Sequence, residues 1–275
     1  MRVLIAGCGY VGSVLAARLA AAGHEVTGLR RRPDGLPAGV VPFAADLADP
    51  RSLRALSGPF DAVVYAAAPD RRDEAAYRAV YVDGVAHVAA AAAGARFVLV
   101  SSTSVYGQDD GSEVDERSPT EPRELSGRLV LEGERRAREG AAGAVALRCG
   151  GIYGPGRTRL LDAARAGRLA ASSTSVRWTN RIHRDDAAGA LAHLLALPAP
   201  EPVYVGVDAE PAREDEVYRW LAARVGRPLP DARRADGERP VRGKRCSSRR
   251  LLASGYRLSF PTFREGYGAL VDAGR

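Results

Sequence analysis

Three groups of residues carry side chains or spacings that could do chemistry. Gly7-Cys8-Gly9-Tyr10-Val11-Gly12 has GxGxxG spacing, directly after an apolar run that begins at Arg2 and directly before an Ala-rich stretch. In that setting the first glycine permits a tight turn, the second lets a pyrophosphate approach the backbone, and the third lets helix and strand pack closely. The pyrophosphate would sit on the unpaired amides that open the helix, so Gly7, Gly9, Tyr10, Val11 and Gly12 are candidate cofactor contacts. Where the second strand ends, an NAD site carries an acidic residue for the ribose 2′-hydroxyl, whereas this chain has Arg30-Arg31-Arg32. Guanidinium groups suit a 2′-phosphate, so Arg30 and Arg31 favour NADP(H) over NAD(H). The second group is Ser102, Thr103 and Ser104, at the carboxyl end of a central strand, where ligands bind in open α/β sheets. Such hydroxyls also cap turns. The third group, Tyr153, Arg157, Arg159, Trp178, Asn180, Arg181 and His183, would line a polar, cationic cleft for an anionic or polyol substrate. Tyr106 offers another phenol, and His183, ahead of Asp185-Asp186, is read as a structural histidine before a base.

The elements that must position these groups follow from periodicity. RVLIAG (Arg2–Gly7), HEVTGL (His24–Leu29), VVPFAADL (Val40–Leu47), DAVVYAAA (Asp61–Ala68), RFVLVSS (Arg96–Ser102) and AVALRCG (Ala144–Gly150) are short β-rich runs. Helical stretches separate them, at Val11–Ala22, about Asp73–Ala93 and about Leu125–Glu139. Near-continuous apolar strands alternating with helices predict a doubly wound, Rossmann-type α/β fold with a parallel sheet covered on both faces. After Gly150 the rhythm breaks. A helix is expected at about Arg157–Gly167 and another capped by an aspartate near Asp185, with a strand at Pro202–Val207 returning to the sheet. The predicted division is a dinucleotide-binding domain over 1–150 and a smaller substrate-binding subdomain over 151–275.

Composition excludes several classes. The chain has 275 residues, 46% hydrophobic, with a net charge of +7, too apolar for a disordered tail protein. Of its 40 basic residues one is lysine, Lys244, and the other 39 are arginine. An arginine-for-lysine bias of this size makes the charge weak evidence for nucleic acid, and the basic run Arg233–Arg250 carries Asp236 and Glu238 without interleaved aromatics, which reads as a solvated face. Three scattered cysteines form no disulfide or metal-ligand pattern, so no metal and a reducing, cytoplasmic setting are expected. The longest apolar stretch, Gly84–Val100, contains His87 and Arg96, too polar for a span, and no membrane partner is expected.

Taken together, the glycine loop, Ala45-Asp46-Leu47, Tyr65-Ala66-Ala67-Ala68, SSTSVYG (Ser101–Gly107), LRCGGIYGPGR (Leu147–Arg157), RIHRDDAAGAL (Arg181–Leu191) and SRRLLASGY are similar to an extended short-chain dehydrogenase/reductase of the NAD(P)-dependent epimerase/dehydratase family. The resemblance spans nearly the whole chain. It implies that Asp46 and Leu47 border the adenine, that Ala66, Ala67 and Ala68 line the ribose side, and that Ser102 orients the reacting oxygen, with Thr103 beside it. It places Gly151 to Tyr153 near nicotinamide and substrate, and it suggests a homodimer through the helices at about 73–93 and 125–139, whose Ala-rich faces would equally serve for packing on the sheet.

The departures from the family matter more. Its catalytic Tyr-x-x-x-Lys falls on Ser126 and Val130, and no shift rescues it, because no lysine precedes Lys244 and no tyrosine lies between Tyr106 and Tyr153. Tyr81 stands where the family usually has an asparagine. A phenol there could supply the missing proton, or simply fill half-buried volume. The expectation is an NADP(H)-binding oxidoreductase or epimerase-like enzyme acting on a small polar carbonyl or hydroxyl compound through a non-standard acid. The alternatives are a catalytically silent NADP(H) sensor, or a non-redox lyase, isomerase or cyclase on the same scaffold.

Overall fold

The computed structural model describes residues 1–56, 58–171, 174–227, 229 and 239–274. The Arg233–Glu238 part of the basic run lies outside them. The chain opens with β1 (Arg2–Ala6), α1 (Gly12–Ala21), β2 (Glu25–Arg30), β3 (Val40–Ala44) and β4 (Ala62–Tyr65). It continues through α2 (Glu74–Tyr77), α3 (Val85–Ala91), β5 (Arg96–Ser102) and α4 (Leu125–Gly140). A seven-stranded sheet runs in the order Val203–Gly206, Val145–Cys149, β5, β4, β1, β2, β3. The pairs among β1 to β5 are parallel, with Val3 opposite Val26 on one side and Ala62 on the other. Every residue of β4 is buried, as two-face cover requires. The order reverses direction between β1 and β4, the switch point at which doubly wound sheets bind ligands. The fold is thus the expected Rossmann-type α/β architecture, and Val203–Gly206 does return to the sheet.

Two local expectations change. The helix expected at 73–93 is interrupted, because Arg78–Gly84 forms a π-helical segment between α2 and α3. Tyr65, fully buried at the end of β4, donates its hydroxyl to the Val80 carbonyl. A Cβ on Gly84 would lie 2.5 Å from that hydroxyl. A side chain inserted into the ladder displaces the regular i→i−4 bond, a known origin of π-bulges, and Gly84 supplies the room. At the other position no aspartate caps the helix from Arg184 to Ala196; Asp185 and Asp186 stand inside its first turn. Asp186 accepts hydrogen bonds from Tyr256 Oη at 3.0 Å, Ser259 N at 2.7 Å and Phe260 N at 2.9 Å, so its carboxylate is committed to the C-terminal segment.

The chain forms two compact units, Met1–Gly107 with Pro119–Arg148 and Ala187–Tyr204, and Gln108–Ser118 with Cys149–Asp186 and Val205–Arg275. The second has its own core around Tyr153, Leu161, Val217, Phe263 and Tyr267. Among the described residues no helix is long and apolar enough to cross a membrane, and no three His, Cys, Asp or Glu side chains converge as a metal would need.

Candidate functional site

The three glycines of the loop differ in what surrounds them. Gly7 has φ +93°, and a Cβ there would meet Ala67 N at 2.3 Å, so only glycine allows the turn beside the segment after β4. A Cβ on Gly12 would meet the Gly7 carbonyl at 2.4 Å and Ile5 Cγ2 at 3.0 Å, which makes this glycine the close helix-to-strand contact. Gly9 is exposed, and nothing among the described residues lies within 4 Å of where its Cβ would be. Two glycines thus serve packing and the middle one leaves backbone open, as a pyrophosphate site needs. The amides of Gly7 and Cys8 both donate to the Leu29 carbonyl, at 3.0 and 2.9 Å, tying the loop to the end of β2. Val11 is buried and Tyr10 half-buried. The residues present fit a dinucleotide.

Around that loop stand the other cofactor candidates. Arg30 donates to the backbone carbonyls of Arg32 and, at 2.6 Å, of Asp34, so its guanidinium braces its own loop. Arg31 forms an ion pair with Asp70. Asp46 is exposed and accepts the Ala48 amide at 3.0 Å, while buried Leu47 accepts His87 Nδ1 at 2.9 Å through its carbonyl. Ala66 and Ala67 are half-buried and Ala68 is exposed.

At the carboxyl end of β5, alternation decides which hydroxyl does what. Ser101 points inward and donates to Glu134 Oε1 at 2.6 Å. Ser102, half-buried, caps the turn Thr103–Val105 by accepting the Ser104 amide at 3.1 Å. Accepting occupies a lone pair and not the hydroxyl hydrogen, so the cap does not prevent Ser102 from donating. Thr103 is half-buried beside it. Helix α4 presses against this turn at Gly127, where a Cβ would meet the Ser104 carbonyl at 2.4 Å, and against the π segment at Gly133, where a Cβ would meet the Tyr81 carbonyl at 2.3 Å. Between these contacts Val130 is 2% exposed, and Ser126, just before the first, is half-buried. Tyr81 is half-buried, its ring 5.6 Å from that of Tyr77. Tyr106 is buried and its hydroxyl accepts Arg148 Nη1 at 2.9 Å.

In the second unit the strands Gly151–Tyr153 and Arg181–His183 pair in parallel, with Tyr153 opposite His183. Their rings meet edge to face at 5.4 Å. His183 Nδ1 accepts the Asp185 amide at 3.2 Å, and burial lowers its pKa, which describes a neutral structural imidazole. Asn180 donates to the Lys244 carbonyl at 2.9 Å and accepts the Cys246 amide at 2.7 Å, so it clamps two segments of backbone. Arg157 is exposed. Tyr153 stacks on Tyr267 at 4.4 Å, and burial raises both phenols, that of Tyr267 to about 12. The structure therefore brings Gly151, Tyr153 and His183 onto neighbouring strands, with Asn180 directly before the second of them.

Several polar residues of note gave no motif. Glu134 is 1% exposed and accepts Arg148 Nε at 2.9 Å and Nη2 at 2.8 Å besides Ser101. Its signal was a charge on the same helical face as Val130, Gly133 and Ala137, all buried. Asp208 is 2% exposed. Its amide donates to the Arg181 carbonyl at 2.7 Å, but neither carboxylate oxygen has a donor in hydrogen-bond geometry among the described residues. Burial pushes this carboxyl up to about 8, only partly offset by the Arg181 charge and a nearby Glu210 amide.

A doubly wound sheet with this glycine loop at its switch point defines a dinucleotide-binding α/β protein. The chain belongs to the NAD dependent epimerase/dehydratase family, whose model matches residues 3–206. It is 32% identical over 250 residues to Protein YeeZ of Escherichia coli K12, covering 84% of this chain and 86% of that protein. A solved structure from Methylobacillus flagellatus, assigned to the NAD-dependent epimerases/dehydratases, is 40% identical, with a TM-score of 0.85 over 100% of this chain and 98% of the other. The human epimerase family protein SDR39U1, solved with NADPH, is 25% identical, with a TM-score of 0.76 over 99% of each.

Proposed function

We propose that this protein binds NADP(H) and catalyses an oxidoreductase or epimerase-type reaction on a small polar carbonyl or hydroxyl compound, using an acid other than the family tyrosine. The glycine loop carries the reading, because its packing glycines leave the middle residue open to a pyrophosphate. The arginines ending β2 support NADP(H) over NAD(H), as does the NADPH in the human SDR39U1 structure. When bound, a nicotinamide supplies hydride chemistry. Ser102, with Thr103 beside it, orients the carbonyl oxygen, and the Tyr81 hydroxyl donates the proton. Tyr81 suits that role because its backbone packs on α4 at Gly133, about one helical turn beyond Val130. In the second unit the exposed Gly151 and Arg157 are the residues that would receive the substrate's polar groups, whereas the Asn180 amide is spent on the backbone of Lys244 and Cys246 and Tyr153 belongs to that unit's core. A second reading, an NADP(H) sensor without turnover, is favoured by Val130, which replaces an ammonium with buried apolar surface.

Fluorescence titration with NADPH and NADH, followed by NADPH oxidation with aldehydes, ketones and nucleotide-sugar ketones, tests the proposal. Tighter binding of NADPH and turnover of at least one carbonyl are expected. Tyr81→Phe should lower turnover by about 100-fold or more while leaving the NADPH Kd unchanged. Wild-type turnover in that variant removes Tyr81 as the acid. Tight binding with no turnover across the panel selects the sensor, and no binding of either nucleotide selects the non-redox alternative.

A further inference from the structure

We propose that Asp70 is the counter-ion that sets the cofactor selectivity of this site, holding Arg31 in the absence of a 2′-phosphate and yielding it when one arrives. The inference rests on the NADP(H) reading above and divides the arginine triplet by task. Arg30 donates through Nε and Nη2 to the carbonyls of Arg32 and Asp34, so two of its three nitrogens brace its own loop. Among the described residues, Arg31 forms an ion pair with Asp70 alone. The two side chains are 62% and 67% exposed, and such a solvated pair is weak enough to exchange partners.

The topology shows what this pair crosses. Arg31 follows β2 and Asp70 follows β4, and these strands flank β1 in the sheet. The ion pair therefore joins the loops on either side of the strand whose end carries the glycine turn, and the charge of Asp46, after β3, also acts on Arg31. In a doubly wound sheet the group that reads the ribose 2′-substituent stands at the end of β2. A 2′-phosphate, with about −1.5 to −2 charge at pH 7, competes with the single charge of Asp70 for Arg31, whereas a neutral 2′-hydroxyl does not. Asp70 thus costs NADPH some affinity through competition and like-charge repulsion, and it leaves NADH indifferent.

The test is equilibrium binding of NADPH, NADH, 2′,5′-ADP and 5′-AMP to the wild type and to Asp70→Asn, Arg31→Ala and Asp34→Asn at low ionic strength, with melting curves to show that each variant is folded. Asp70→Asn should tighten NADPH and 2′,5′-ADP roughly two- to fivefold and leave NADH and 5′-AMP unchanged. Arg31→Ala should weaken the two 2′-phosphate compounds by roughly tenfold or more. Asp34→Asn, which removes a nearby exposed charge without touching the pair, should move none of them. If Asp70→Asn changes nothing, or Asp34→Asn tightens NADPH equally, the counter-ion role is overturned while the NADP(H) reading stands on Arg31→Ala. Weaker NADH binding in Asp70→Asn overturns it too, by making Asp70 a ribose hydroxyl ligand. If the wild type binds NADH as tightly as NADPH and Arg31→Ala is neutral, the NADP(H) reading itself fails.

Discussion

Glu134 in the first unit and Asp208 in the second are almost equally hidden from water, at 1% and 2% exposure, yet their surroundings are opposite. Glu134 receives Ser101 and two nitrogens of Arg148, whose third nitrogen goes on to Tyr106. A buried carboxylate with that many donors has its oxygens satisfied and acts as scaffold. Asp208 has no donor in geometry among the described residues and shares its surroundings with Arg181, whose Nη1 lacks an acceptor there. Its carboxyl avoids the desolvation penalty by keeping its proton. Burial alone therefore does not separate a structural carboxylate from an unusual one. The count of donors does, and Asp186, with three, falls on the structural side.

The largest effect expected from this contrast is at Glu134. Glu134→Ala leaves Arg148 buried and unpaired, so urea denaturation at pH 7 should show a loss of about 3–5 kcal/mol. A loss below about 1 kcal/mol would mean that the network contributes no more than a surface pair. Asp208 should behave in the opposite way. An unfolded Asp gives up its proton near 3.8, whereas the folded one keeps it to about 8. Between those values the native state binds the extra proton, so wild-type stability falls as pH rises across this window and levels off above it. Asp208→Asn should flatten that slope and be the more stable protein at alkaline pH, measured by denaturation at a series of pH values. An unchanged profile would show that Asp208 has found donors and that the contrast with Glu134 is false. The smallest effect belongs to Tyr65→Phe, which leaves the Val80 carbonyl without its hydroxyl donor. It should cost about 1–2 kcal/mol and speed amide exchange through Arg78–Gly84. No change in exchange would detach the π segment from the phenol.

Much of the first unit was legible because its signals are local. A glycine at positive φ, an apolar run of strand length and an arginine just past a strand end each act through immediate neighbours, so Gly7, Gly12 and Arg31 could be placed from spacing. SSTSVYG could be assigned to a strand end, but only the pleat showed that Ser101 turns into the core and leaves Ser102 at the turn. The helix at 73–93 was read as continuous because its interruption comes from Tyr65, 15 residues before the carbonyl it captures. Asp208 stood in no motif, since nothing in VGVDAE announces that this aspartate will be buried.

The succession of strands and helices along the first part of the chain, the glycine loop and the arginines ending β2 were determined by sequence alone, because each is a matter of residue type within a short window. The partners of the charges were decided by tertiary structure. Arg31 meets Asp70 across 39 residues, and Arg148 meets Glu134 across 14. Which carboxylate stays ionised depends on the donors and dielectric that folding brings around it, and those come from segments that sequence proximity does not connect.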